Sequence, residues 1–204
     1  MIERLQQRLE KKLPGIESWN RMAVKSKKGD SIESESLQKY SDWITEEKLS
    51  SMKKAAVLIG LFKKENDWYF PLIKRPMHEK NHPGQIALPG GAMEKNEDLN
   101  NTALREANEE VGIIPENVDI IGKLTPLPVP VSNYLIHPFV GIISDEPKWK
   151  INEEEVEELI ILKLKHLIEA DIGYSEYWNL RGTEVKVPIF KVMKKTVWGA
   201  TATV

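Results

Sequence analysis

Three carboxylates crowd into five positions of one stretch of this sequence. Glu106, Glu109 and Glu110 lie within GGAMEKNEDLNNTALREANEEVGI, residues 90–113. If the stretch is helical, each residue turns about 100°, so the three acids share an arc of about 100° and their Cβ atoms lie roughly 5–6 Å apart. A hard divalent cation such as Mg²⁺ would relieve their repulsion, particularly where a phosphate supplies further ligands. A solvated glutamate-rich helix face is the alternative interpretation.

The residues around these acids predict the helix that carries them. Its apolar side consists of Leu99, Ala103, Leu104, Ala107 and Val111. Asp98 is a suitable N-cap, and Gly112 followed by Pro115 ends the pattern, so we expect a helix from Asp98 to Val111. The acids then lie beside the buried side of the helix and not opposite it.

Eight residues of this region have the spacing G-x5-E-x7-R-E-x-x-E-E-x-G-I. They are Gly91, Glu97, Arg105, Glu106, Glu109, Glu110, Gly112 and Ile113. This spacing resembles the Nudix box, the signature of hydrolases that cleave a nucleoside diphosphate linked to another moiety. Every polar and glycine position of the pattern is filled, and the aliphatic position after Arg-Glu holds the small Ala107. With so many fixed positions, chance agreement is remote.

The resemblance implies an α/β fold, an α/β/α sandwich with a mixed sheet, and a role for each matching residue. The residues it assigns to Mg²⁺ or Mn²⁺ are Glu106, Glu109, Glu110 and, through its backbone, Gly91, and one of the glutamates is a candidate base. Glu97 and Arg105 would brace the loop and the helix, because an arginine can hold a carboxylate with two parallel hydrogen bonds. The chemistry would be pyrophosphate hydrolysis, in which a metal polarises the phosphoryl oxygens and a carboxylate takes the proton of water.

A second acidic run, NEEEVEEL at 152–159, follows later in the chain. Nudix enzymes often recruit a further acid from a loop outside the box. Glu155 is the candidate, since it lies in the Glu-Val-x-Glu arrangement typical of that loop. A solvated charge run is the alternative.

The segment LIKRPMHEKNHPGQIALPGG at 72–91 precedes the box. It is similar to the segment that marks the coenzyme A pyrophosphatase branch of the Nudix family. The matching positions are Leu72, Arg75, Gly84, Pro89, Gly90 and Gly91. Lys80 stands where that segment has an arginine, which keeps the charge but loses the planar fork.

This second resemblance implies a substrate, coenzyme A or acyl-coenzyme A, cleaved to 3′,5′-ADP and a 4′-phosphopantetheine product. Coenzyme A carries a 3′-phosphate besides its diphosphate, so its pocket should contain extra cations. Lys74, Arg75 and Lys80 are the candidates, although Lys74 also suits the solvent face of a strand. Other Nudix substrates (ADP-ribose, dinucleotides, nucleoside triphosphates) remain open, as does a nucleotide-binding module without catalysis. The intact carboxylate set argues against such a module.

The elements that must position these residues are mainly strands. Apolar runs predict strands at 55–62, 68–75, 120–124, 134–143, 159–164 and 185–190, the first two forming a hairpin, and a helix at 166–172. The proline-rich 125–132 reads as a loop. Helical spacing at 2–13 and a short helix before residue 51 predict an N-terminal helical extension, 1–50, packed on a Nudix hydrolase domain, 51–204.

Composition restricts the function classes further. The chain has 204 residues, a net charge of −2 and no cysteine. Bulk charge therefore does not indicate a nucleic-acid partner, and disulfides or thiolate chemistry are excluded. No apolar run is long enough for a membrane span, and the N-terminus, which mixes acids and bases, is unlike a targeting segment. We expect a cytoplasmic protein acting on a small molecule, with a homodimer as one option.

Overall fold

Two β-sheets and the helices packed on them make up the described part of the chain. The computed structural model describes residues 2–15, 19, 22–26, 44–79, 82–169, 174–180 and 182–204. The α-helices among these residues are α1 (Ile2–Leu9), α2 (Glu46–Ser51), α3 (Leu99–Val111), α4 (Leu164–Glu169) and α5 (Gly199–Thr203). The first six strands are β1 (Lys25–Ser26), β2 (Lys53–Lys64), β3 (Asp67–Lys74), β4 (Ile86–Ala87), β5 (Gly90–Ala92) and β6 (Val118–Lys123). The others are β7 (Leu127–Val129), β8 (Tyr134–Ile143), β9 (Glu158–Lys163), β10 (Ser175–Leu180), β11 (Thr183–Val192) and β12 (Lys195–Trp198).

The larger sheet is mixed, as predicted. Its strands follow the order β4-β3-β2-β8-β6, with β5 paired to β2, β7 to β8 and β9 to β3. Strands β2 and β8 run parallel, from the pair Lys53 and Tyr134 to the pair Leu61 and Ile142, whereas the other pairs are antiparallel. The central position of β2 explains its uninterrupted apolar sequence, because a strand covered on both faces needs no polar alternation.

The side chains of β2 alternate between two hydrophobic cores. Ala56, Leu58 and Phe62 belong to the core beneath α3, together with Ala103, Ala107 and Val111 of that helix. Val57, Ile59 and Leu61 face the opposite side, where α1, the β11–β12 hairpin and α5 contribute Leu5, Leu9, Val192, Val197 and Ala202. Both faces of the sheet are therefore covered, and α3 packs on the side that carries the box residues.

A smaller sheet is formed by β1, β10, β11 and β12. Its central strand is β11, which pairs antiparallel with each of the other three. The β11–β12 hairpin is continuous with the second core of the larger sheet, because Val192 and Val197 belong to it. The apolar run at 185–190 predicts β11, whereas the other three strands of this sheet were not predicted.

Other elements differ from the sequence predictions mainly at their ends. The predicted proline-rich loop contains β7, an edge strand that pairs Leu127 with Ile136 and Pro128 with Leu135. An edge strand tolerates proline because one side of it has no ladder to complete. Helix α1 ends at Leu9, before the predicted 13, and α4 begins at Leu164, before the predicted 166.

The N-terminal region is described in part. Helix α1 packs against the second core through Ile2, Leu5 and Leu9, and α2 is the short helix expected before residue 51. Residues 27–43 of the predicted extension lie outside the described residues, and the division at residue 50 stays a prediction. None of the described helices is long and apolar enough to cross a bilayer. The cytoplasmic location and the homodimer also stay predictions.

Candidate functional site

The helix α3 is fixed at both ends by local hydrogen bonds. The Asp98 carboxylate accepts from the amide N of Asn101 at 2.9 Å, as a capping side chain does. At the other end Gly112 adopts a left-handed conformation, with φ 77°, and its N–H donates to the carbonyl of Asn108 at 2.9 Å. Only glycine enters this region without steric cost, so the sequence ends the helix immediately after the acids.

Three carboxylates meet beside the N-terminal end of β5. Glu106 and Glu110 come from α3, and Glu155 comes from the loop that precedes β9. One carboxylate oxygen of each lies within 4.8 Å of the others. Glu110 is almost completely buried, with 2% of its surface exposed, whereas Glu106 and Glu155 are half-buried. The fold thus brings the later acidic run to the box.

The glycine pair of β5 lets the backbone approach these acids. The N–H of Gly90 donates to Oε2 of Glu110 at 2.9 Å. At Gly90, where φ is 154°, a Cβ would overlap the carbonyl O of Ala56, and at Gly91 a Cβ would overlap the carboxyl group of Glu106. Side chains at these two positions would therefore displace either β5 or the acids.

The electrostatics of the group favour a cation. Burial raises the pKa of Glu110 to about 8, although the Gly90 N–H and the positive charge of Arg75 oppose the shift. Burial also raises the pKa of Glu106, against the effect of Arg105. Glu106 and Glu110 are thus desolvated and insufficiently compensated by protein groups. Their hard oxygen donors fit Mg²⁺ or Mn²⁺, so the residues present suit the metal that the sequence predicts.

Arg105 binds the other two acids of the box. Its Nε donates to Oε1 of Glu97 at 2.9 Å, and its Nη2 donates to Oε2 of Glu97 at 3.2 Å and to the carbonyl of Ala92 at 3.1 Å. Nη1 donates to Glu109 at 2.8 Å. The guanidinium lowers the pKa of Glu97 to about 2. Arg105 thus links Glu97 to β5; its Nη1 also lies 2.9 Å from Oε1 of Glu106, and Glu109 lies outside the group of three.

The three predicted cations occupy different surroundings. Arg75 is near enough to Glu110 to oppose the rise of the Glu110 pKa. The Nη2 of Arg75 lies 3.5 Å from the Glu79 carboxylate, and the buried Nε of Arg75 has no hydrogen-bond partner among the described residues. Lys74 forms an ion pair with Glu157 at 2.5 Å. Lys80 lies outside the described residues. The structure thus brings Arg75 towards the carboxylates and pairs Lys74 with the acidic loop.

Two residues of the site were not assigned from the sequence. Thr102 is fully buried in α3 and donates to Oε2 of Glu97 at 2.8 Å. Asn152 donates to Oε1 of Glu155 at 3.0 Å. Thr102 shows no distinctive pattern in the sequence. Asn152 opens the run of glutamates, and an asparagine in such a place is typical of a turn that its side chain stabilises.

A family model described as the NUDIX domain matches residues 52–179, which include every element of this site. The chain belongs to the Nudix family. The predicted enzyme class, a pyrophosphohydrolase, is thereby confirmed. The role of the three carboxylates must therefore be explained in terms of the hydrolysis of a pyrophosphate linkage.

Curated bacterial proteins similar to this Nudix chain carry the name "Uncharacterized Nudix hydrolase NudL". The one from Enterobacter sp. (strain 638) is 38% identical over 151 residues, or 74% of this chain and 78% of the relative. The one from Pectobacterium atrosepticum is 37% identical over 134 residues, or 65% of this chain and 69% of the relative. The shared region is thus most of both proteins.

Solved structures of Nudix proteins are similar to the chain at the level of the fold alone. A C. elegans Ap4A hydrolase has a TM-score of 0.48 and 20% identity, over 57% of this chain and 84% of its own. The NUDIX domain of Shewanella oneidensis NrtR, complexed with ADP ribose, has a TM-score of 0.47 and 14% identity, over 65% of this chain and 86% of its own.

Proposed function

We propose that this Nudix enzyme hydrolyses the pyrophosphate bond of coenzyme A or acyl-coenzyme A, giving 3′,5′-ADP and 4′-phosphopantetheine or its acyl derivative. The observation that carries the proposal is the position of the described residues of 72–91, a range whose sequence is similar to the segment of the coenzyme A branch. This segment starts in β3, places Arg75 near Glu110, and ends at the glycine pair that contacts Glu106 and Glu110. Residues typical of coenzyme A enzymes thus adjoin the carboxylate group.

The residues that would hold Mg²⁺ or Mn²⁺ are Glu106, Glu110 and Glu155, with the backbone of Gly91. When bound, the metal supplies Lewis-acid polarisation of the phosphoryl oxygens and lowers the pKa of water. A carboxylate of the group takes the proton from the attacking water. Glu109 stays a proposed ligand as well, and it would then exchange its contact with Arg105 for the cation.

Arg105 and Glu97 position this machinery and do not contact the reacting atoms. The two hydrogen bonds from Arg105 to Glu97 and the one to the carbonyl of Ala92 join the middle of α3 to the end of β5 and to the loop after it. This arrangement holds the glycine pair and the acids at a constant distance. A fixed distance between ligands is what a metal site requires in order to bind one ion strongly.

The cations before the box divide between the two phosphate sites of coenzyme A. Arg75 lies near the carboxylates, and its Nε has no hydrogen-bond partner in the part of the chain that the structure describes, so Arg75 serves the diphosphate. Lys74, which now pairs with Glu157, and Lys80 serve the 3′-phosphate. A phosphate oxygen paired with a cation forms charge-assisted hydrogen bonds, each typically worth about 1.5–3 kcal/mol.

A substrate panel tests the proposal directly. The protein is incubated with Mg²⁺ or Mn²⁺ and coenzyme A, acetyl-coenzyme A, ADP-ribose, NADH or a dinucleoside polyphosphate, and the products are identified by mass spectrometry. We expect the highest kcat/KM for coenzyme A or its thioester, with 3′,5′-ADP as a product. Preference for ADP-ribose or a dinucleotide would contradict the coenzyme A assignment and leave the Nudix chemistry intact.

Variants of the cations test the division between the phosphates. Lys74→Ala and Lys80→Ala should lower kcat/KM for coenzyme A about ten- to a hundredfold and change little for dephospho-coenzyme A, which lacks the 3′-phosphate. Arg75→Ala should lower kcat/KM for both substrates by a similar factor. The control is Lys64→Ala. Lys64 lies at the far end of β2 and forms an ion pair with Glu146, and its loss should leave kcat/KM for both substrates unchanged. Parallel losses in all three test variants would contradict the 3′-phosphate role.

A further inference from the structure

The loop that carries Glu155 is joined to the C-terminal end of α3 by backbone hydrogen bonds. The N–H of Lys150 donates to the carbonyl of Val111 at 3.1 Å, and the N–H of Asn152 donates to the carbonyl of Glu110 at 3.0 Å. The last carbonyls of a helix have no partner within the helix, so the loop satisfies two of them. The loop is therefore docked directly on the residue that provides one carboxylate of the group.

Asn152 is the centre of the hydrogen bonds within this loop. Its Oδ1 accepts from the N–H of Glu154 at 3.2 Å, and its backbone carbonyl accepts from the N–H groups of Glu155 at 3.1 Å and Val156 at 2.8 Å. Because Oδ1 already accepts from an N–H, the orientation of the amide is defined, and Nδ2 must face the Glu155 carboxylate. Nδ2 donates to Oε1 of Glu155 at 3.0 Å.

We propose that Asn152 is a positioning residue, which holds the Glu155 carboxylate against Glu106 and Glu110; the inference rests on the proposed metal role of this group. Two neighbouring carboxylates repel Glu155, and a half-exposed side chain on a loop would otherwise turn into solvent. The amide attracts one oxygen of Glu155 and leaves the other for a cation. Since the amide is neutral, it adds no positive charge where the cation would bind, in contrast to a lysine or arginine.

The test is a double-mutant cycle between Asn152 and Glu155 in the full-length chain. Asn152→Ser keeps a hydroxyl that can accept from the Glu154 N–H, but it removes the donor to Glu155. Glu155→Ala removes the group on which Asn152 is proposed to act. The four proteins are compared by kcat and KM for the best substrate of the panel, and by Mn²⁺ affinity in the absence of substrate, measured by titration calorimetry.

For Asn152→Ser we expect kcat and Mn²⁺ affinity to fall about tenfold, with KM for the substrate within twofold of the wild type. In the Glu155→Ala background the same substitution should change kcat and Mn²⁺ affinity less than twofold, because its target is gone. A second variant, Asn152→Asp, keeps the acceptor and replaces the donor with a charge. It should lose at least as much kcat as the serine variant, and circular dichroism confirms that each variant is folded.

Three outcomes would overturn the inference. Equal losses from Asn152→Ser in both backgrounds would show that Asn152 supports the loop and not the carboxylate. A serine variant within twofold of the wild type, alongside an impaired Glu155→Ala, would refute the role of Asn152 and leave the metal group standing. If Glu155→Ala itself kept wild-type kcat and Mn²⁺ affinity, the proposed role of Glu155 would fail and the inference with it.

Discussion

At the scale of single residues, identical side chains on one helix have different surroundings. Glu110 is buried, Glu106 is half-buried beside Arg105, and Glu109 is half exposed and hydrogen-bonded to Arg105. The helical spacing predicted that the three acids share one arc, but it could not predict their partners. Those depend on the conformation of Arg105 and on a loop more than forty positions later, which brings Glu155 to the group.

Glu110 makes the metal-free protein sensitive to pH. Its pKa is raised from the ordinary 4.5 to about 8, so the native state binds a proton that the unfolded state releases across this window. The free energy of unfolding therefore falls as pH rises from about 4.5 to about 8. At pH 8.5, with a chelator present, the free energy of unfolding of Glu110→Gln should exceed that of the wild type by at least about 1 kcal/mol. The difference should shrink towards pH 5.

Urea unfolding at the two pH values measures this difference. Glu109→Gln is the control; it loses an ion pair with Arg105 and should gain no stability. With metal present, Glu110→Gln should lose turnover by orders of magnitude, because a metal ligand has been removed. A Glu110→Gln variant with near-normal activity would refute the assignment of Glu110 to the metal.

Glu155 should differ from its neighbours in the same acidic run. The carboxylate of Glu155 lies with Glu106 and Glu110, whereas Glu153 and Glu154 are exposed. We expect Glu155→Gln to lower kcat at least a hundredfold, and Glu153→Gln and Glu154→Gln to lower it less than threefold. Steady-state kinetics at saturating Mg²⁺ measures this. Small, equal effects in all three variants would mean that the run is only a solvated surface.

At the scale of elements, sequence predicted those with strong internal patterns. The hairpin β2–β3, the helix α3 and the strand β8 follow from long apolar runs, helical spacing and caps, and the structure has them close to the predicted bounds. The strands β4, β5 and β7 have two or three residues each. They are defined only by pairing with β3, β2 and β8, respectively. A contact between distant segments leaves no periodic pattern in either of them, so these strands could not be predicted, and Glu155 was a candidate only through the family resemblance.

Gly112 should be required for the contact between α3 and that loop. It has φ 77°, and a Cβ there would lie 2.9 Å from the backbone N of Lys150. Gly182, in the β10–β11 turn, has φ 80°, and apart from its chain neighbours no described residue has an atom within 4 Å of such a Cβ. Gly182→Ala should therefore cost only the strain of the left-handed conformation, about 1–2 kcal/mol.

Gly112→Ala should cost at least about 1 kcal/mol more than Gly182→Ala, because the loop must also move. It should lower kcat too, since the displaced loop carries Glu155, whereas Gly182→Ala should keep wild-type kcat. Denaturant unfolding and steady-state kinetics on both variants provide the comparison. Equal stability losses with unchanged kcat would show that the contact of the loop with Gly112 is not required for catalysis.

At the scale of the whole molecule, the two faces of the large sheet are covered by different elements, and only one face carries the acids. One face carries α3 and the acids, and the other is covered by α1, α5 and the β11–β12 hairpin. The N-terminal helix was predicted from its apolar spacing, but the surface it covers was not, because that surface is assembled from distant strands. This separation implies that the cover stabilises the sheet without taking part in the chemistry.

A substitution of Leu9 tests whether the covered face of the sheet is independent of the carboxylates, because Leu9 packs α1 against β6. It lies directly over Gly122 of β6, where a Cβ would be 2.8 Å from the Leu9 Cβ. A buried leucine replaced by alanine typically costs 2–5 kcal/mol; Leu9 is half-buried, so Leu9→Ala should cost about 1–2 kcal/mol and lower the melting temperature by about 2–8 °C. Gln6→Ala, exposed on the same helix, is the matched control and should leave the melting temperature within about 1 °C. Both variants should keep wild-type kcat and Mn²⁺ affinity when folded. A loss of either in Leu9→Ala below its melting transition would show that the N-terminal helix is coupled to the carboxylates through the sheet.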